Sequence, residues 1–523
     1  MLPKILGFLA VAALAVTSTD ARSEMLWFRN GRAIEQVSHV LGAMRSAEAN
    51  GLRPDDYELQ ISAEDMSAVL ESGADAKTRE RFDTALTNAT SRFVRDLHEG
   101  RIDPGTAGFD LPAAGVPFDV KLAVQRLASS TDVAATLAAL EPQPAPYQRL
   151  KATLAEYRAL ATQHTLTRLP QLAARSLQQG DAYTGARQLR RLLIALGDLS
   201  PSTSSESNDQ EIIDISLVEG IRRFQRRHGL TVDGVIGPRT FAALTTPLSE
   251  RVSQLELSME RWRWVAPNGR PNIVVNIPQF MLFALPDQGQ PSDGVIEMRV
   301  VVGETYPRAR TPVFTSSITE VVFQPYWDVP RGILVRELLP RIRKDRSYLD
   351  LHDMEIVRGD GDDARIMIPS HDVIDALASG KLRLRQRPGP KNALGPVKFV
   401  MRNRYNVYLH GTPEQGLFER TQRTFSHGCI RVSEPRDLAS YVLRHAREPW
   451  DDAAIDAALC RTNVLRVPLA RPVRVIVFYA TAVATQSEGV LFFDDVYGHD
   501  RKLRQLLEER AKNSQSFTQA HKF

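Results

Sequence analysis

The chain has 523 residues, 43% of them hydrophobic and 24% charged, which is the make-up of a folded protein of about three or four domains and excludes a disordered or fibrous one. A net charge of +4 suits an anionic cell-surface environment, and without basic clusters interleaved with aromatics it argues against nucleic acid as a partner. Two cysteines in so long a chain exclude a disulfide scaffold.

Residues 1–21 read as a secretory signal, with Lys4 as the positive start, Ile5 to Val16 as the apolar centre and Thr19-Asp20-Ala21 as the cleavage site. The apolar centre is short for a membrane span of about twenty residues, so an exported protein with no stable span beyond this segment is expected. Residues 24–177 predict a helical scaffold domain. In its clearest helix, Thr78 to His98, the residues Phe82, Leu86, Ala89, Phe93 and Leu97 form one apolar stripe, and Asp96, His98, Glu99 and Arg101 near its end read as a solvated face.

Residues 178–248 predict a three-helix module. Its helices run over Thr184 to Leu196, from Ser216 with a Ser216/Glu219 capping box, and from Gly237-Pro238, with a serine-rich insertion at Pro201 to Asn208. The string Phe224-Gln225-Arg226-Arg227-His228-Gly229-Leu230 through Asp233-Gly234-Val235-Ile236-Gly237 resembles peptidoglycan-binding-like modules. A helix over Arg251 to Trp264 then leads into residues 258–500, where strand signals dominate: Asn272 to Leu285, Met298 to Gly303, Val313 to Val329, Lys398 to Arg402, Tyr405 to Leu409 and Val473 to Thr481. An insertion at 331–395, helix-leaning from Gly332 to Lys381, is placed to fold over the mouth of a site as a lid, with Tyr326 and Trp327 as groove walls. Ser433 is predicted to cap a helix over Glu434 to His445, and residues 501–523 form a terminal helix and tail.

The chemistry concentrates in Tyr408-Leu409-His410-Gly411-Thr412 and Ser426-His427-Gly428-Cys429-Ile430-Arg431. A cysteine attacks carbonyl carbon as the thiolate, so it needs an imidazole or another positive field beside it. His410, on a separate strand, is placed to act as the base, oriented by the Gly411 carbonyl or the Thr412 hydroxyl, with His427 as an auxiliary donor; which imidazole works stays open. Gly428 lets substrate approach, the Gly428 and Cys429 amides are candidate oxyanion donors, and Arg431 offers a fork to a carboxylate. A Cys429–Cys460 disulfide in a non-catalytic wall-binding scaffold is the rival reading. Zinc ligation lacks the necessary partners, since no CxxC or HExxH spacing occurs.

These two segments resemble the signature of the L,D-transpeptidases, whose catalytic domain is the YkuD fold, and Arg387-Pro388-Gly389-Pro390-Lys391-Asn392-Ala393-Leu394-Gly395 is similar to the large multi-domain bacterial branch. The resemblance implies a multi-domain α+β protein: a mainly β catalytic domain with a helical lid, an all-α scaffold and a peptidoglycan-binding-like module. It implies Cys429, His410 and Gly411 as the catalytic set, with His427, Ser426, Gly428, Arg431, Tyr408 and Thr412 shaping the site, and neither metal nor cofactor. The implied partners are peptidoglycan stem peptides and glycan, with carbapenems as acylating inhibitors. The implied reaction is 3-3 cross-linking, with L,D-carboxypeptidase or lipoprotein-anchoring activity as alternatives from the same site.

Overall fold

A computed structural model describes residues 25–112, 117–201, 211–265, 270–286 and 294–520; the predicted signal segment and most of the serine-rich insertion lie outside them. The N-terminal part is helical apart from a small hairpin, Phe28–Arg29 with Arg32–Ala33. Its long helix, Ala76–Glu99, is capped by Asp75, whose carboxylate accepts from the Thr78 amide at 2.7 Å, and buries the predicted stripe Phe82, Leu86, Ala89, Phe93 and Leu97.

The end of that helix is solvated at Glu99 but not at Asp96 or Arg101. Asp96 is buried and accepts from the Tyr57 hydroxyl (2.9 Å) and from Arg510 of the terminal helix (2.6 Å). Arg101 pairs with Glu260 of the Leu248–Val265 helix at 3.1 Å. Charges so placed look like surface in one dimension; here two helices from distant parts of the chain cover them and supply the opposite charge.

The second unit packs helices Ala186–Ala195, Ile215–Arg227 and Pro238–Leu244 around Leu189, Leu193, Ile221 and Phe224. Gln225, from the recognised string, is buried and ties its turn together, donating to Asp233 and to the Val235 carbonyl and accepting from the Gly234 amide. The cap of the middle helix is Asp214, which accepts from the Leu217 amide at 2.8 Å. Ser216 instead accepts from Arg190, so the predicted capping box does not form.

The C-terminal part is built on a nine-stranded sheet. In order across it run Thr424–Ser426, Ile296–Gly303, Ile430–Val432, Leu409–His410, Val397–Met401, Phe314–Phe323, Leu465–Phe478, Ile273–Asn276 and Met281–Ala284. Met281–Ala284 also pairs with Ile296–Gly303, so the sheet closes on itself around a core that includes Val300, Phe323, Phe399, Leu409 and Ile430. The strand predicted over Tyr405 to Leu409 shrinks to Leu409–His410 because Asn406 adopts a left-handed conformation (φ +55°) that bends the chain just before it. The helix after the nucleophile segment, Pro435–Leu443, begins after Glu434; Ser433 accepts from the Arg299 amide instead of capping it.

The insertion is more than a helical lid. Besides its helices it supplies three strands, Arg383–Gln386, Met354–Arg358 and Arg365–Met367, to a four-stranded antiparallel sheet whose edge strand Trp327–Asp328 precedes it and pairs with Arg383–Gln386, over a core containing Leu338, Ile342, Ile356, Leu377 and Leu384. Among the described residues no helix is long and apolar enough to cross a membrane.

Candidate active site

Alternation along adjacent strands decides what meets what. Leu409 and Ile430 are paired and both point into the core, so their neighbours Tyr408, His410, Cys429 and Arg431 share the opposite face of the sheet. His410 sits opposite Arg431 on one side and Lys398 on the other, and Lys398 is opposite Val322, which is opposite Arg466. A row of basic side chains therefore crosses this face, with Cys429 one step to its side.

The segment Ser426 to Cys429 is a stapled turn. The Ser426 hydroxyl donates to the Cys429 carbonyl at 2.5 Å and accepts from the Gly428 amide at 3.1 Å, and Thr311 Oγ1 donates to the Gly428 carbonyl at 2.8 Å. Gly428 has φ +118°, which only glycine adopts without strain. With the Gly428 amide engaged inside the turn, the Cys429 amide is the remaining candidate of the two expected oxyanion donors. Behind the turn, a Cβ on Gly303 would lie 1.9 Å from the Ala309 carbonyl oxygen, so glycine there lets the supporting loop close up.

The His410 ring is buried, with Nδ1 2.6 Å from the Gly411 carbonyl oxygen; the Thr412 hydroxyl accepts from the Glu414 amide instead. That contact leaves Nε2 to take a proton. Neither imidazole hydrogen-bonds the sulfur: the Cys429 thiol donates to the Asn406 carbonyl at 3.6 Å, and both cysteines are free thiols, which removes the Cys429–Cys460 disulfide.

Sequence comparison bears on this arrangement directly. Residues 270–473 match the family model described as the L,D-transpeptidase catalytic domain, YkuD; residues 19–154 match a scaffold domain; residues 184–244 match a "putative peptidoglycan binding domain". Over residues 270–473 the chain is therefore similar to that catalytic-domain family. A curated "putative L,D-transpeptidase" of Haemophilus influenzae is 32% identical over 260 residues, 50% of this chain and 50% of that protein. The chain thus spans about half the length of the curated relative it matches.

Within the matched region the resting protonation states differ from the predicted thiolate. Burial raises the Cys429 thiol above its ordinary value, against the opposing pull of Tyr408, whose amide and hydroxyl both favour the anion, and of Lys398 and Arg431. Burial, then Arg431 and Lys398, lower His410 to about 3, with the Gly411 and Leu394 carbonyls pulling the other way. Both partners are therefore neutral at neutral pH, and the imidazolium is disfavoured by the cations flanking it.

Two predicted roles change. His427 does not face the oxyanion position but turns to the insertion, with Nε2 2.9 Å from Glu337. That contact fastens the insertion beside the nucleophile turn, and Arg466 pairing with Asp362 at 2.8 Å holds its other side. Arg431 pairs with Glu414 and reaches Thr412 Oγ1 at 3.4 Å, so a carboxylate already lies on its fork. Tyr326 lies under the Arg385 guanidinium (3.9 Å), and Trp327 packs on the insertion's core, so the contacts that fix both run into the insertion.

Sequence reasoning missed Lys398, Asn406, Thr311 and Glu337. Lys398 had a signal, a lysine alternating with Val397 and Phe399 on a core strand; the other three act through contacts between distant segments, which no spacing reveals.

Proposed function

We propose that the protein is a peptidoglycan L,D-transpeptidase. The donor is a tetrapeptide stem with a diamino acid at its third position and terminal D-alanine. His410 Nε2 takes the Cys429 proton as the sulfur attacks the carbonyl carbon joining those two residues, and the Cys429 amide receives the oxyanion. The imidazolium then protonates the amine of the departing D-alanine, leaving a thioester. A side-chain amine from a neighbouring stem attacks next, loses its proton to His410, and displaces the sulfur, giving a 3-3 cross-link.

The observation that carries this reading is the shared sheet face of Tyr408, His410, Cys429 and Arg431 beneath a docked insertion, inside a matched catalytic domain. His410, flanked by Lys398 and Arg431, serves as a brief proton carrier and not as half of a standing ion pair. The 184–244 module holds the enzyme on the glycan, and export to the periplasm brings it to its substrate. Water as acceptor makes the site a carboxypeptidase, and a lipoprotein amine makes it an anchoring enzyme. Incubation with purified disaccharide-tetrapeptide tests the reading: cross-linked dimer is expected, tripeptide alone would point to the carboxypeptidase, and unreacted substrate would overturn the proposal. Carbapenem acylation of Cys429 is expected as well.

A further inference from the structure

Lys398 is half-buried on the site face of its strand, directly opposite His410. It makes no hydrogen bond or ion pair with any described residue, and its ammonium lies 4.1 Å from the centroid of the Tyr408 ring. A lysine head in such a place ordinarily reaches water or pairs with a carboxylate. The titratable and charged groups around it are Asp328, Glu320, Arg466, His410 and the Cys429 thiol, which is neutral at rest. Each carboxylate among them is committed elsewhere: Asp328 to Arg383 at 2.5 Å and Glu320 to Arg466 at 3.1 Å. Of the neighbouring cations, Arg431 is paired with Glu414 and His410 is neutral at rest. Among the described residues Lys398 is thus an uncompensated cation of the site, and the neighbouring group that becomes an anion in the proposed turnover is the sulfur. Tyr408 joins the two: its ring lies under the ammonium, and its carbonyl accepts from the Ile430 amide at 3.1 Å, one residue beyond Cys429.

We infer that Lys398 is a positioning residue that supplies the fixed positive charge stabilising the Cys429 thiolate when its proton passes to His410, acting across the Tyr408 ring. The step balances: the S–H bond breaks, an N–H bond forms on His410 Nε2, and the electron pair stays on sulfur opposite the ammonium. Burial disfavours the charged form of Lys398 and the thiolate favours it, so each charge is held by the other. The inference rests on Cys429 being the nucleophile of the proposed reaction, but its readout does not require turnover.

The test is the pH dependence of iodoacetamide alkylation in the full chain for the parent, Lys398→Met and Lys398→Arg, read by peptide mass spectrometry, with exposed Cys460 as internal control. Lys398→Met is expected to raise the Cys429 midpoint by about one pH unit, with about tenfold slower labelling below it. Lys398→Arg should keep most of the parent behaviour, and Cys460 should not change. An unshifted midpoint overturns the inference, and an unshifted midpoint with a raised KM assigns Lys398 to a substrate carboxylate instead. If Lys398→Met fails to fold, the reciprocal measurement decides: acetic anhydride should label Lys398 at lower pH in Cys429→Ala than in the parent, and identical profiles would overturn the idea. Failure of the parent to process tetrapeptide would defeat the transpeptidase reading while leaving the thiol midpoint to be read.

Discussion

Replacing Glu260 by Gln tests whether buried charges tie the scaffold to the rest of the molecule. Glu260 is fully buried and accepts from the Arg101 and Ile102 amides, from Arg101 Nε at 3.1 Å and from Arg263 at 3.3 Å. Glutamine keeps the shape and an acceptor but removes the charge, leaving two buried guanidinium groups without their carboxylate. Such a loss costs about 3–5 kcal/mol. The lower end is expected, because the glutamine amide oxygen can still accept from the Arg101 and Ile102 amides. About 3 kcal/mol corresponds to roughly two decades in local opening, so hydrogen exchange at the Arg101 and Ile102 amides should quicken about a hundredfold. The more exposed Glu256–Arg158 pair (2.6 Å) is the control, and Glu256→Gln should cost under about 1 kcal/mol. The pH dependence has a definite sign. Despite burial, Arg101 and Arg263 hold Glu260 below its ordinary value, so its contribution is complete above the ordinary carboxylate range and is lost as pH falls through the folded value. The parent and Glu260→Gln should therefore converge in acid. Equal exchange at neutral pH, or a gap that widens on acidification, would refute the reasoning.

Gly303→Ala forces a Cβ to 1.9 Å from the Ala309 carbonyl oxygen, displacing the loop whose Thr311 braces Gly428; acylation of Cys429 should fall at least about a hundredfold, measured by carbapenem labelling. Gly395→Ala, at φ +62° and 2.5 Å from the Thr412 amide, should shift the Gly411 carbonyl off His410 and slow acylation while leaving Cys460 alkylation unchanged. Glu337→Ala should cost under about 1 kcal/mol in stability, because the His427–Glu337 pair is well exposed, yet exchange should quicken in the insertion segment Leu334–Leu338 relative to the Met354–Arg358 strand.

What could be read in one dimension was what local rules control. The stripe from Phe82 to Leu97 has helical period and is buried as expected, and the motif segments hold their polar residues on one face because side chains alternate along a strand. Failures came where distant segments compete for the same group. Asp96 and Arg101 seemed solvated until Arg510 and Glu260 met them, and Asp214 took the cap assigned to Ser216. His427 turned outward because an insertion residue ninety positions earlier offers it a carboxylate. The thiol was expected ionised because two histidines lie near it in sequence; burial and the cationic row reverse that at rest. Within the insertion, short strands such as Arg365–Met367 carry too few residues to show a period of two.

The most direct test of the central claim is the intact mass of the protein after brief exposure to disaccharide-tetrapeptide without acceptor. A covalent adduct equal to the donor less D-alanine, mapped to Cys429 and absent from Cys429→Ala, is the result expected. An adduct that survives in Cys429→Ala, or a parent that turns over substrate with no adduct on that sulfur under any trapping condition, would contradict it.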